Sequence, residues 1–186
     1  AAAVVGFVFL AMELVWYRML APLLWGSTYS FGLILAVALL GIGLGGLAYG
    51  FGPRPQRPTL FLFAATCAIE AALLVLPFAL GDQLVMFAIL LRPLGEVGFG
   101  ALVGTWALLC GIVVFPAALV SGYQFPLLVA LLGSGREDVG RQVGLAYAWN
   151  TGGAIVGALA GGFGLLPLLT APRCWQMVAG LLVVLA

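Results

Sequence analysis

The sequence is a succession of long hydrophobic segments separated by short polar breaks, and this pattern limits what the chain can fold into. Crossing a bilayer takes roughly 20 apolar residues as a helix, and open sheet edges are excluded there because unpaired backbone groups find no water. The hydrophobic runs are continuous, whereas the strands of a membrane barrel alternate. Charged residues make up only 7% of the chain, against about 25% in soluble domains. We therefore predict an all-α, polytopic membrane helical bundle in contact with the lipid bilayer.

Six segments are predicted to form a single transmembrane domain over residues 1–186. Their predicted bounds are 3–25, 28–51, 59–80, 97–132, 143–169 and 173–186. Residues 82–96 are predicted to form a short interfacial helix. The fourth segment is too long for one simple crossing, so Pro116 and Pro126 are expected to kink it. The sixth would rise only about 21 Å in a hydrocarbon core of roughly 30 Å. We therefore expect the chain to be part of a longer protein.

The orientation is predicted from arginine, because the chain contains no lysine. The loops after segments two and four hold Arg54, Arg57, Arg136 and Arg141, whereas the loops on the other side hold Arg92 and Arg173. Basic residues favour the cytoplasmic side of a membrane. This bias predicts a multi-pass protein of the inner (cell) membrane with both termini in the cytoplasm.

Several classes of function are disfavoured by composition. The net charge is +1 and there is no basic run, so nucleic acid is not an expected partner. Histidine is absent, and the three cysteines are scattered singly in apolar stretches, so no metal site is predicted. No nucleophile–base pair is visible either, and no catalytic residue or cofactor is assigned within these residues.

Glycine-rich stretches are predicted to mediate helix packing. GIGLGG matches the G-x-G-x-x-G pattern of dinucleotide-binding loops, but such a loop requires a preceding strand and surrounding solvent. Small residues in lipid instead let helices approach closely, within one subunit or between two, which leaves a homodimer open. The glycines assigned to packing are Gly41, Gly43, Gly46, Gly153, Gly157 and Gly161.

Two acids lie near the middle of predicted spans, Glu13 in the first and Glu70 in the third. A charged side chain at a helix centre costs roughly 2.5–3.5 kcal/mol on insertion scales, so it is rarely idle. In a structural interpretation, Arg18 or donors on other helices pair with Glu13, and Glu70 is protonated or hydrogen-bonded. In a functional one, both carboxylates face a cavity that takes a cation, with Trp16 or Tyr17 adding cation–π attraction. A proton relay is a third alternative.

A second polar group is predicted near the cytoplasmic side of segments four and five. It comprises Gln124, Tyr147 and Asn150, for which interhelical hydrogen bonding is the default interpretation. The candidate ligand-binding residues are therefore Glu13, Trp16, Tyr17, Arg18, Glu70, Gln124, Tyr147 and Asn150.

A weak internal similarity relates segments two and five. One alignment matches Tyr29 with Tyr147, Gly43 with Gly161 and Gly46 with Gly164. Three helices starting inside and three starting outside would form a 3+3 inverted repeat, as in halves of transporters. Chance similarity between two glycine-rich helices would give the same matches.

Three stretches carry a resemblance to a known family. They are GFVFLAMELVWYRMLAPLLWGSTYSFGLILAVALLGIGLGG with its E-x-x-W-x-R run, FPAALVSGYQFPLL, and VGRQVGLAYAWNTGGAIVGALAGGFGLLPLL with its Tyr-x-x-Asn-Thr-x-Gly-Ala run. In this order they resemble the N-terminal multi-helix domain, of major-facilitator-like character, in membrane-embedded spermidine synthase-like proteins. The resemblance covers nearly the whole chain.

The resemblance implies a soluble aminopropyltransferase domain that follows in the cytoplasm and uses decarboxylated S-adenosylmethionine as co-substrate. No such domain lies within residues 1–186, so any transferase activity would belong to the parent protein. The expected function is to anchor that enzyme and to bind or pass a polyamine or related amine. The alternatives are a transporter half of major-facilitator type and a purely structural dimerisation anchor.

Overall fold

The computed structural model describes residues 1–52, 58–132 and 139–186, and within these ranges the chain is all α, with eight helices and no strand. The predicted all-α fold is confirmed. The loop arginines Arg54, Arg57 and Arg136 lie outside the described residues, and the predicted orientation stays a prediction.

The helices follow the predicted hydrophobic segments closely. They are α1 (Ala2–Leu20), α2 (Thr28–Phe51), α3 (Leu60–Ala79), α4 (Gly81–Leu91), α5 (Phe99–Val113), α6 (Phe115–Leu132), α7 and α8 (Ala171–Leu185). Helix α7 runs over Val139–Ala160, a π-helical turn at Gly161–Leu165 and Leu166–Leu169 without interruption. A 3₁₀ turn at Arg92–Val97 joins α4 to α5.

Helix α1 ends at Leu20, earlier than the predicted residue 25. Pro22 has no backbone N–H to continue the helical ladder. Trp25 and Gly26 then adopt left-handed backbone, with φ of 62° and 58°. Ser27 caps α2, because its side-chain oxygen accepts a hydrogen bond of 3.2 Å from the backbone N–H of Ser30.

The predicted fourth segment is two helices, α5 and α6, which meet at Val114. The expectation of one kinked helix is thereby corrected at its first proline. Pro116 cannot donate to the carbonyl of Ile112, so the ladder is interrupted there. Pro126, by contrast, lies inside α6, which continues past it to Leu132.

In the described part of the chain, five helices are long and apolar enough to cross a membrane. They are Ala2–Leu20, Thr28–Phe51, Leu60–Ala79, Phe115–Leu132 and Gly140–Leu169, whereas Phe99–Val113 and Ala171–Leu185 are shorter apolar helices. These lengths and compositions suggest a multi-pass membrane protein whose helices contact lipid.

Two helix pairs pack most closely, α1 with α7 and α2 with α6. In the first, a Cβ on Gly153 would overlap the carbonyl oxygen of Ala3, and one on Gly6 would overlap that of Asn150. The backbones therefore touch directly, which only glycine allows at these positions.

The second pair, α2 with α6, makes the same kind of contact. A Cβ on Gly45 would overlap the carbonyl oxygen of Leu119, and one on Gly122 would overlap that of Ile42. Each pair is therefore closed by glycines from both of its helices.

Helix α3 lies behind these pairs and packs on α6 and α8, while α8 also packs on α1. Trp175 of α8 fixes the contact with α3, because its indole Nε1 donates a 3.0 Å hydrogen bond to the carbonyl of Leu74. Its ring lies against Phe78, with ring centroids 5.6 Å apart. The core thus places α1, α2, α6 and α7 around a common space.

Candidate functional site

A cavity of about 550 Å³ lies between α1, α2, α6 and α7. Its polar lining consists of Glu13, Ser121, Tyr147 and Asn150. Its walls are otherwise apolar and include Phe9, Leu10, Leu35, Ala38, Ile42 and Phe125. We call this space the Glu13 cavity.

Glu13 is the acid of this cavity and is only 8% exposed. Within the described ranges its carboxylate makes no hydrogen bond and no ion pair. Burying an ionised group without a partner is strongly unfavourable. Glu13 therefore presents to the cavity a carboxyl group that has no partner among the described residues.

The other polar groups of the cavity are neutral. Ser121 is buried on α6, whereas Tyr147 and Asn150 lie one turn apart on α7. The ring of Tyr147 contacts Phe125 edge-on, with centroids 6.2 Å apart. Hydroxyl and amide oxygens accept hydrogen bonds, so these side chains can complement a donor that binds beside Glu13.

Glu70 belongs to a second, separate polar centre behind the cavity. It is 3% exposed, and its Oε2 accepts a 2.7 Å hydrogen bond from Nε2 of Gln124, which is fully buried. The same Nε2 lies 3.9 Å from Sγ of Cys67. The Oε1 of Gln124 has no partner among the described residues.

The functional interpretation expected both acids to face one cavity. In the structure, only Glu13 lines the Glu13 cavity. Glu70 is absent from its lining because its side chain is engaged by Gln124. Helix α6 connects the two centres, since Ser121 and Gln124 are three residues apart and share a face. Of the sequence-predicted candidates, the structure brings Glu13 together with Tyr147 and Asn150, and Glu70 together with Gln124.

Trp16, Tyr17 and Arg18 do not line the Glu13 cavity. Trp16 is buried with its ring against Phe9, at 6.1 Å between centroids, and its Nε1 has no partner among the described residues. Tyr17 lies against Phe31 at 5.3 Å. Arg18 is exposed, and no described acid forms an ion pair with it. These residues give Glu13 neither a counter-charge nor a cation–π wall.

The glycines assigned to packing divide into three groups. Gly153 and Gly157 face the α1 backbone at Ala3 and Phe7, and a Cβ on Gly41 would come within 2.7 Å of Ala118. Gly161 and Gly46 are looser, near Leu14 and Gly122 respectively. A Cβ on Gly43 would meet no described atom within 4 Å, and Gly43 lines the Glu13 cavity instead, so its assignment to packing is not supported.

Sequence reasoning missed Ser121 and the contact glycines Gly6 and Gly122, and it did not single out Gly45 within GIGLGG. Ser121 and Gly122 are adjacent small residues that come just before Gln124 in the sequence. Small residues beside a polar residue within a span are the pattern that could have identified them. Gly6 is isolated near the chain start and carries no pattern that distinguishes it.

Among the described residues, no group of three or more Cys, Asp or Glu side chains is arranged to hold a metal ion. No protein family, no curated protein and no solved structure matches this chain. The fold and site therefore define a multi-pass α-helical protein with an acidic internal cavity, and its function is inferred from its own residues.

Proposed function

We propose that this chain is a membrane domain that binds an organic amine, with the ammonium group of the ligand beside Glu13. The single observation that carries the proposal is Glu13, a residue only 8% exposed, whose carboxyl group lines a cavity and has no partner among the described residues. An ammonium ion supplies the counter-charge and the donors that such a carboxylate lacks.

The rest of the cavity supports the same ligand. The hydroxyl of Ser121 and the amide oxygen of Asn150 can accept hydrogen bonds from an ammonium group. Aromatic rings attract cations at distances up to about 6 Å, and Phe125 and Tyr147 supply two such rings. An anion would instead be repelled by the negative charge of Glu13.

We further propose that the chain is the membrane domain of a spermidine synthase-like protein, as its motifs suggest. Its role would then be to anchor a cytoplasmic aminopropyltransferase domain, to which decarboxylated S-adenosylmethionine as co-substrate would belong. The support is the order along the chain of the E-x-x-W-x-R run, the stretch FPAALVSGYQFPLL and the Tyr-x-x-Asn-Thr run. The resemblance by itself implies a polyamine, whereas the residues that line the cavity bear on the class of amine independently of it.

An inverted repeat of α1–α3 against α6–α8 is proposed on the basis of reciprocal packing. The contact of Gly6 with the Asn150 carbonyl has its counterpart in the contact of Gly122 with the Ile42 carbonyl. Likewise, Gly153 against Ala3 corresponds to Gly45 against Leu119.

This relation differs from the sequence alignment that matched Gly43 with Gly161, because it pairs Gly45 with Gly153. It also relates the contact of α3 with α6 to that of α8 with α1. An exchange of the two halves therefore preserves the main helix contacts.

A transporter half is the second candidate function. Transporters with such repeats hold their substrate where the repeats meet, near the middle of the membrane. The Glu13 cavity is lined by α1 and α2 from one repeat and by α6 and α7 from the other, which supports this alternative. It predicts flux of an amine across liposomes that contain the chain. A dimerisation anchor predicts dimers by native mass measurement and no ligand.

The proposed function is tested with Glu13→Gln in the full chain reconstituted in lipid nanodiscs, using radiolabelled spermidine and radiolabelled phenethylamine as separate probes. Glu96→Gln is the matched control, because Glu96 is exposed in the turn after α4. We expect at least one probe to bind, and Glu13→Gln to weaken it about tenfold or more, since a hydrogen bond to a charged group is lost. Equal binding by wild type and Glu13→Gln would refute the proposal.

A further inference from the structure

We infer that the amine bound in the Glu13 cavity is a monovalent organic ammonium with an apolar body, rather than a polyamine. The inference rests on the proposed function and narrows its substrate class. It follows from the charges and the surfaces that surround the cavity.

The first argument is the charge of the lining. Glu13 is the one charged side chain among the described residues that line the cavity. Glu70, the other mid-helix acid, is hydrogen-bonded to Gln124 outside it. A polyamine would bring several ammonium groups, of which Glu13 could neutralise one. The remainder would be buried without counter-charge, which is strongly unfavourable.

The second argument is the surface that the rest of a ligand would touch. Apart from Ser121, Tyr147 and Asn150, the walls are glycine, proline and apolar side chains such as Leu10, Leu35, Ile42 and Phe125. Such walls stabilise an apolar body and offer no acceptors for further N–H groups. The volume of about 550 Å³ falls in the range of roughly 300–1,000 Å³ that holds drug-sized ligands.

The third argument is the open side of the cavity. It is bordered by Leu39 of α2 and Tyr147 of α7, which are 57% and 63% exposed. Helices α2 and α7 make almost no contact with each other. Leu39 lies near the middle of α2, so the opening faces the region that the apolar helices assign to the bilayer. An amphiphilic amine partitions into that region, whereas a polyamine stays in water.

The experiment compares phenethylamine, a monovalent amine with an aromatic body, with spermidine on the same full chain in nanodiscs. Phenethyl alcohol, its neutral analogue, serves as the competitor that measures partitioning alone. We expect phenethylamine to bind at least about tenfold more tightly than spermidine. Phenethyl alcohol should compete poorly, and Glu13→Gln should remove the difference between the amine and the alcohol.

The outcomes separate this inference from the proposed function. Glu13-dependent binding in which spermidine equals or exceeds phenethylamine would overturn the monovalent class and leave the cation site standing. Absence of Glu13-dependent binding for both probes would remove the proposed function, and the inference with it.

A gain-of-charge variant checks the charge argument independently of Glu13→Gln. Tyr147→Glu adds a second acid at the exposed mouth of the cavity. We expect the ratio of spermidine affinity to phenethylamine affinity to rise about tenfold or more. An unchanged ratio would show that charge count does not set the preference, and would overturn the inference.

Discussion

Gln124 donates a 2.7 Å hydrogen bond to Glu70 across the contact between α6 and α3, and both side chains are almost wholly buried. Because Glu70 has no cationic partner among the described residues, this amide is its main polar contact. The pair thus joins α3 to α6 through a buried side-chain hydrogen bond.

The first prediction concerns this pair. Gln124→Met should lower the free energy of unfolding by about 1–3 kcal/mol, because it leaves a buried carboxyl group without its donor. Gln83→Met is the matched control, since Gln83 is exposed on α4, and it should change stability by less than about 0.5 kcal/mol. Denaturant titration in detergent measures both changes.

A double-mutant cycle decides the mechanism. Glu70→Met combined with Gln124→Met replaces both partners by apolar chains of similar shape, so the double variant should be more stable than Gln124→Met alone. Additive losses would contradict the coupling.

The second prediction uses two adjacent glycines of α7. Gly153→Ala should destabilise the chain by about 1–3 kcal/mol, because the new Cβ would overlap the Ala3 carbonyl and push α1 from α7. Gly152→Ala meets no atom within 4 Å, and it should be neutral or stabilising by up to about 1 kcal/mol through helix propensity. Equal thermal stability of the two variants would exclude the close contact.

The third prediction tests the inverted repeat. If Gly45 is the counterpart of Gly153, Gly45→Ala should cost about the same, roughly 1–3 kcal/mol. Gly32→Ala is the control, because Gly32 also lies on α2 and a Cβ there would meet no described atom within 4 Å. A harmless Gly45→Ala beside a damaging Gly153→Ala would argue against equivalent interfaces.

The fourth prediction concerns Trp175. Trp175→Phe keeps an aromatic ring beside Phe78 but removes the donor to the Leu74 carbonyl, so stability should fall by about 0.5–1.5 kcal/mol. Trp149→Phe, at an exposed position of α7, should have little effect. Thermal unfolding followed by tryptophan fluorescence is unsuitable here, so circular dichroism is the measurement.

The fifth prediction concerns orientation. Val97→Cys should react with a membrane-impermeant thiol reagent from outside intact cells, and Gly140→Cys only after permeabilisation. Both positions are exposed, whereas Cys67, Cys110 and Cys174 are buried and give little background. The reverse pattern of labelling would invert the predicted topology.

Much of the fold could be predicted because the length of an apolar segment and the positions of its prolines are read directly from the local sequence. The bounds of α2 and α3 follow from their cap residues Ser27 and Thr59 and from the prolines at positions 53, 55 and 58 of the sequence between them. The division at Val114 was missed, since a proline either kinks or interrupts a helix depending on its neighbours.

The site was predictable only in part. Mid-helix position identified Glu13 and Glu70 as unusual, but their separation depends on which faces of α1, α3 and α6 meet. Gln124 could have bonded either acid, and sequence spacing does not decide between them. The same holds for Gly43, which matches the packing pattern yet faces open space.

The glycine contacts join α1 to α7 and α2 to α6, so each closely packed unit takes one helix from either half of the chain. Tilting the two halves against each other would break both contacts at once. A change in the space around Glu13 that keeps these contacts would require one such unit to lean away from the other, and α2 and α7, which scarcely touch, form the edge where it would open.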